Sequence, residues 1–310
     1  MSQAHHNEPQ QIRTITDFHR LHGLPKPLHP LISLVDYSLV KHTTEKNHIS
    51  WVQQFYTIGL KRDVCGKFRY GQQEYDFDEG LMSFIAPGQV FRVEMFDYGE
   101  APPPSGWLLQ VHPDLFWNTQ LAKNIRKYAF FGYQVNESLF LSEKEETIIL
   151  GIFRNIEREY RENIDKFSQN IIISQIETLL NYADRFYQRQ FITRKINNHH
   201  LLDRLEAFLS AYLDDEDRLM EGPPSVKSVA DELNVSPDYL TSMLRMLTGL
   251  TTQQHIQNKL IEKAKEQLST TSLSISEIAY GLGFEHPQSF SKLFKAKTDQ
   301  SPLAFRQSFN

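Results

Sequence analysis

Ser225-Val226-Lys227-Ser228-Val229-Ala230 lies over Ser274-Ile275-Ser276-Glu277-Ile278-Ala279 at an offset of 49 residues, and the match runs on through Leu233/Leu282 and Val235/Phe284. Past the next turn the offset becomes 50, pairing Leu240 with Phe290, Leu244 with Phe294, Arg245 with Lys295 and Thr248 with Thr298. A period of that size seen twice means one supersecondary unit used twice, with a one-residue difference in its turn.

Each copy spells helix, tight turn, helix. In the first, Ser225 caps a short helix whose inner face is Val226, Val229, Ala230 and Leu233. Asn234 tolerates the left-handed conformation of a sharp helix stop. Ser236-Pro237 restarts a helix, with serine as cap and proline where its missing N–H costs nothing. That helix turns Leu240, Met243, Leu244 and Leu247 inward. In the second copy Ser274 and Glu277 form a capping box, Ile275, Ile278, Ala279 and Leu282 face the core, and Gly283 supplies the stop. The following helix buries Phe290, Leu293 and Phe294.

The outer faces are short and polar: Asp238, Tyr239, Thr241, Ser242 and Arg245 in one, His286, Gln288, Ser289, Ser291, Lys292 and Lys295 in the other. Such residues suit base edges in a major groove, Gln pairing with adenine, Arg or Lys with guanine, Ser or Thr with either. Between the copies Gln253–Leu268 reads as one helix, about 24 Å long at about 1.5 Å per residue. A rigid spacer of that kind holds two reading helices about one DNA turn apart, on the order of 34 Å.

Pro224 to Arg306 resembles the DNA-binding domain of the AraC/XylS family of bacterial transcription regulators. The likeness is carried by Ser228-Val229-Ala230, Asn234-Val235-Ser236-Pro237-x-Tyr239-Leu240, Thr248-Gly249-Leu250-Thr251 and Lys263-Ala264-Lys265-x-x-Leu268. It continues in Ile275-x-Glu277-Ile278-Ala279, Gly283-Phe284 with Phe290-Ser291-x-x-Phe294-Lys295, and Ser301-Pro302-x-x-Phe305-Arg306. The resemblance implies base contacts from Asp238, Thr241 and Ser242 and from Gln288, Ser291 and Lys292. Arg245 and Lys295 lie nearer the phosphates. The family often places Arg, Trp or His at the first of these faces, so Asp238 and Ser242 are a departure. An aspartate repels phosphate unless it accepts a cytosine amino group, so the first helix reads fewer bases.

Charge does not decide the matter. From Ser225 to Asn310 nine Lys/Arg stand against eight Asp/Glu, a net of +1. The basic charge is local, in Lys292, Lys295 and Lys297. A helical protein–protein interaction module is the alternative reading of the same helices.

The whole chain is 310 residues, 40% hydrophobic, with formal charge −5. That length suggests two domains, and the net acidity argues against non-specific coating of nucleic acid. A single cysteine, Cys65, excludes an internal disulfide framework and fits a reducing cytoplasm, where it is read as inert packing. No apolar run is long enough to span a membrane. Residues 1–11 are polar, without the apolar core of a secretion signal, and read as a disordered tail. His5-His6 there is not read as a metal site.

Residues 12–190 read as a first domain. Short apolar or alternating runs at Leu31–Tyr37, Phe55–Leu60, Lys67–Tyr75, Gly80–Gly88 and Trp107–Val111 suggest a small barrel or sandwich. The Gly80…Pro87-Gly88 spacing resembles half of a cupin motif, the barrel commonly fused to this DNA-binding domain. Many cupins are metal enzymes with a His-x-His pair, a Glu and a further His. Arg69–Asp76 offers no histidine, Glu74 and Asp76 read as a solvated face, and His112 stands alone. The residues therefore supply no catalytic set, no metal site and no cofactor site. Phe68, Tyr70, Tyr75, Phe77, Phe84 and Phe91 are core or line a cavity. The barrel either packs and dimerises or, as the resemblance implies for many members, encloses a small-molecule effector.

Ala101-Pro102-Pro103-Pro104 reads as a stiff loop. Ser142 with Glu145 caps a helix to about Asn163, with Ile148, Ile149, Ile152, Phe153, Ile156 and Tyr160 along one stripe. A second helix runs from Ser168 to Gln190. This hairpin packs on the barrel or on its copy in a second subunit; the resemblance favours a homodimer through 143–190. Residues 191–198 are a polar linker, and 199–310 the DNA-binding domain, opening with a helix from His199 to Leu213. His199-His200 read as capping or surface residues, and Asp214–Asp217 as a solvated acidic loop.

The expectation is an α+β chain of two domains: a cupin-like β-barrel with a helical hairpin, then an all-α, seven-helix double helix-turn-helix domain. Its partners are double-stranded DNA, a second copy of the chain, RNA polymerase and an unidentified effector, with no membrane and a cytoplasmic location.

Overall fold

Apolar runs at Ile32–Asp36, Tyr56–Arg62, Leu81–Ile85 and Ser105–Val111 become strands because they are covered on both faces, so their polar alternation is weak. The computed structural model describes residues 9–40, 48–62, 68–70, 73–75, 80–94, 105–134, 137–161, 167–193 and 195–308. It divides into two compact units, Met1–Gln190 and Phe191–Asn310.

The first unit runs β1 (Gln10–Ile12), α1 (Ile15–Leu21), β2 (Ile32–Asp36), β3 (His48–Gln53), β4 (Tyr56–Arg62), β5 (Phe68–Tyr70) and β6 (Gln73–Tyr75). It continues with β7 (Leu81–Ile85), β8 (Val90–Glu94), β9 (Ser105–Val111), α2 (Gln120–Asn124), β10 (Leu139–Phe140), α3 (Glu143–Arg161) and α4 (Ser168–Thr193). An antiparallel sheet orders β10-β7-β4-β9-β2, a second orders β1-β3-β8 with β1 parallel to β3, and β5-β6 is a hairpin. Among the described residues the strands form these separate sheets and no closed barrel.

One face of the five-stranded sheet carries Val35 and Leu108 into a core with Ile12, Ile15, Phe18, Trp51 and Phe55. The same face holds a buried polar strip, Gln110 opposite both Ser33 and Thr57. His19 Nε2 lies 2.8 Å from Ser33 Oγ and its Nδ1 meets the Pro25 carbonyl; burial pulls the His19 pKa down. The Gln53 amide donates to Thr57 Oγ1 at 2.6 Å. Gln110 is fully buried, and neither end of its amide is hydrogen-bonded among the described residues.

The other face carries Ile58, Met82, Phe84 and Leu109. Phe84 meets Phe130 at 4.4 Å and Tyr187 of α4 at 6.2 Å. The hairpin therefore packs within its own unit, with Ile149, Ile152, Phe153 and Ile156 buried on α3 and Ile172, Ile176, Leu179 and Leu180 on α4. Glu145 both accepts from Ser142 N at 2.9 Å and pairs with Arg189 at 2.6 Å.

Several expectations change here. Gln10 and Gln11 pair with Trp51 and Val52, so these two residues belong to a strand and not to the expected tail. Lys67–Tyr75 contains a hairpin, β5-β6, rather than one strand. Ile148 is 38% exposed and lies off the buried stripe. His5-His6, Cys65, Asp76, Phe77 and Pro102–Pro104 lie outside the described residues, as do the side chains of Phe68, Tyr70, Glu74, Tyr75 and Phe91.

The second unit consists of α5 (Lys195–Leu213), α6 (Glu216–Met220), α7 (Val226–Leu233), α8 (Pro237–Thr248), α9 (Thr252–Thr270), α10 (Ile275–Gly281), α11 (Pro287–Thr298) and α12 (Pro302–Gln307), with the last three residues of α4. The α9 helix packs against α5, α7, α8, α10, α11 and α12 and is the spine of the unit. Two expectations fail locally. Helix α5 starts at Lys195, so most of the polar stretch 191–198 is helical and His199-His200 lie inside a helix rather than at its start, with His200 on the surface as expected. The acidic stretch is no simple loop: Asp215 caps α6 through Arg218 N at 3.2 Å, and Asp214 pairs with Lys263 at 2.8 Å. The unit therefore has eight helices among the described residues rather than seven.

Candidate nucleic-acid interface

The repeat is kept down to single hydrogen bonds. Ser225 and Ser274 cap α7 and α10, each in a capping box, with Ser228 and Glu277 respectively. That contact, the backbone hydrogen bond first, holds the Glu277 carboxyl below its usual pKa. Asn234 (φ 57°) and Gly283 (φ 83°) both turn left-handed. The next N–H then reaches back over the helix end, Val235 to the Ala230 carbonyl and Phe284 to the Ala279 carbonyl, each at 3.0 Å.

Both second helices open on proline, Pro237 and Pro287. They close on left-handed Gly249 (φ 76°) and Asp299 (φ 59°). Thr248 and Thr298 donate to the Leu244 and Phe294 carbonyls, each at 2.8 Å. Beneath α8 lie Leu240, Met243 and Leu244, and beneath α11 Phe290 and Phe294, all fully buried. Rings continue the second core, Phe284–Phe290 at 5.5 Å, Phe290–Phe294 at 5.8 Å and Phe294–Phe305 at 5.4 Å. Val226, Leu247, Ile275 and Leu293 are only half-buried.

This packing fixes which side chains point away. On α11, Gln288, Lys292 and Lys295 are exposed and Ser291 half-buried beside them, one face at spacings of three and four. His286 is exposed at the N-cap and its side chain makes no cap hydrogen bond. The side chains of Gln288, Lys292 and Lys295 are exposed and make no hydrogen bond or ion pair among the described residues. Other lysines of the unit are engaged: Lys259 with Glu206 at 3.2 Å, Lys263 with Asp214, Lys297 with Asn258 at 3.0 Å. The Asp214 hydrogen bond chiefly raises the Lys263 pKa, so that charge is held against α5 and away from the α11 face.

On α8 the sequence expectation is only partly met. Asp238 and Arg245 are exposed and Ser242 is half-buried. Tyr239 is buried at 7% exposure, its ring 5.2 Å from Phe191, so it belongs to the core and not to the outer face. Thr241 turns partly inward, its hydroxyl 3.0 Å from that of the fully buried Thr252 on α9. Nearby His255 contacts Thr248 Oγ1 at 2.9 Å, and burial lowers its pKa. Sequence periodicity alone could not separate Tyr239 from Asp238, because adjacent positions straddle the edge of the buried stripe. A further contact was not foreseen: Arg306 of α12 donates from Nε to the Leu268 carbonyl at 3.3 Å, capping the carboxy end of α9.

Among the described residues no group of three His, Cys, Asp or Glu side chains could hold a metal ion, and no helix is long and apolar enough to cross a membrane.

A family model described as a helix-turn-helix domain matches residues 229–308. The HTH-type transcriptional regulator YfiF of Bacillus subtilis (strain 168) is 29% identical over 274 residues, covering 85% of this chain and 80% of that protein. The arabinose operon regulatory protein of Escherichia coli (strain K12) is 27% identical over 162 residues, which are 50% of this chain and 55% of that protein. Among solved structures, the C-terminal domain of AraT, a response regulator from Geobacillus stearothermophilus, is 30% identical over 35% of this chain and 84% of that one, with a TM-score of 0.31. The duplicated motif and its outward polar faces define a DNA-binding protein of the double helix-turn-helix class. Its second unit carries the AraC-type helix-turn-helix domain of transcription regulators.

Proposed function

We propose that α8 and α11 enter successive major grooves on one side of a DNA duplex, and that α11 supplies most of the sequence reading. Gln288, Ser291 and Lys292 contact bases, while Lys295 and Arg245 hold phosphates and His286 sits at the groove edge. The observation that carries this reading is the row of exposed, unpartnered donors on α11, in a unit whose other lysines are largely paired off. On α8 the matching positions hold Asp238, Thr241, Ser242 and Arg245. Asp238 serves a cytosine amino group, Ser242 is a short donor, and Thr241 spends its hydroxyl on Thr252. Tyr239 supports the helix from beneath.

The first unit is read as cupin-like, sensing an effector and holding two copies of the chain together. Phe167 and Ile171 at the start of α4, and separately Ile148 near the start of α3, are exposed apolar side chains of the hairpin that suit a two-fold contact. An effector or partner protein acting on this unit biases the equilibrium between DNA-competent and incompetent states. RNA polymerase is the further partner in this reading, and the cytoplasm the location.

The test is binding to the DNA upstream of the protein's own gene, at moderate salt with competitor DNA. Gln288→Ala or Lys292→Ala is expected to cost about 1–3 kcal/mol on the specific site and to relax base preference locally. An equal loss on random DNA contradicts base reading.

A further inference from the structure

The first unit contains a cavity of about 240 Å³ lined by Ser83, Phe84, Phe130, Tyr133, Ser138 and Tyr187. It opens where β7 outruns its neighbour: β10 pairs only with Leu81 and Met82, so beyond Met82 the edge of β7 fronts the cavity. Aromatic rings form its floor, Phe130 stacked on Tyr187 at 5.5 Å with 17° between planes, and Tyr133 edge-on to Tyr187 at 5.1 Å. Its mouth carries Gln89, Val90 and Gln134, of which Val90 is 56% exposed.

We propose that this cavity binds an uncharged single-ring aromatic molecule bearing a hydrogen-bonding substituent. Size sets the first limit. A dry cavity of about 150 Å³ holds benzene, so this one has room for a ring with a substituent. The walls set the ring preference, since aromatic faces and edges favour offset or edge-on partners. Charge sets the last. Among the described residues no Asp, Glu, Lys, Arg or His lines the cavity, so an ionised ligand would shed its water with no counter-charge from these walls in return. The buried Glu137 beside it, whose carboxylate accepts from Gln134 N at 2.6 Å, further disfavours a carboxylate. The Ser83 hydroxyl and the amides of Gln134 and Gln89, the last with its oxygen already accepting from Ala86 N at 3.1 Å, are the hydrogen-bonding complement.

The cavity gives the effector reading above a site and a chemical class, and it rests on that reading only for any consequence at DNA. The test is a titration of the full chain at neutral pH with benzamide and with benzoate, the same ring neutral and charged, followed by ligand-observed NMR. Benzamide is expected to bind about tenfold or more tightly than benzoate. Val90→Trp and Gln134→Trp, which fill the mouth from exposed positions, are expected to weaken benzamide about tenfold with the circular dichroism spectrum unchanged. Absent benzamide binding at about 10 mM, equal binding of benzoate, or indifference to both substitutions overturns the proposal. DNA affinity measured with and without benzamide is a separate readout. Binding that leaves DNA affinity unchanged keeps the site and removes the effector reading.

Discussion

Gly283 and Asn234 hold the same left-handed turn in the two copies, yet they are not interchangeable. A Cβ at position 283 would sit 2.7 Å from the Gly222 carbonyl carbon and 2.8 Å from Pro223 N, both backbone. The second turn is pressed against the α6–α7 connection, so the glycine answers a close approach as well as a positive φ. Gly283→Asn is therefore expected to destabilise the helical unit by about 1–3 kcal/mol, although asparagine serves at 234. Asn234→Gly is expected to change stability by no more than about 1 kcal/mol. Urea unfolding of the full chain, followed by helical circular dichroism, compares the two; similar midpoints would show that φ alone matters. The stop at 283 was legible in the sequence because glycine ends helices. The reason for glycine over asparagine was not, because the opposing backbone lies some sixty residues back along the chain. Tyr239 failed for a related cause: its inward turn depends on Phe191, which no local pattern connects to it.

At the scale of elements, α8 and α11 share one backbone plan and differ in charge. Their outward positions correspond as Asp238/Gln288, Thr241/Ser291, Ser242/Lys292 and Arg245/Lys295. One face carries an acid and a base, the other two lysines. Asp238→Gln with Ser242→Lys gives α8 the polar pattern of α11. The double substitution is expected to raise affinity for random DNA and to steepen the dependence of log K on log salt by about one. An unchanged salt slope would place α8 away from the phosphates. Elements with strong local signals were readable in advance. Helix α9 was expected at Gln253–Leu268 and runs Thr252–Thr270, and α3 and α4 begin where capping and periodicity put them. Strands β1, β3, β8 and β10 were not, because they are short and owe their existence to partners distant in sequence. Helix α1 carries a Thr14–Asp17 capping box, but at seven residues it is too short for periodicity to mark it.

For the whole molecule, the duplicated unit settled the second half of the chain because every level agreed: caps, stops, apolar spacing and repeat pointed to one structure. The first half offered no repeat. Its sheet is specified by pairing across long separations, and its burial on both faces blurs alternation, so class was legible and topology was not. The polar strip of Ser33, Thr57 and Gln110 likewise emerges only when three strands are set side by side. The central claim is that one motif, used twice, grips a duplex at two neighbouring grooves with α11 as the stronger reader. The most direct measurement is the affinity of the full chain for its operator with each base pair substituted in turn. The account predicts two blocks of sensitive positions centred about 10 base pairs apart, one deeper and selectively flattened by Gln288→Ala. A single block, or two blocks out of phase with the helical turn, would contradict it.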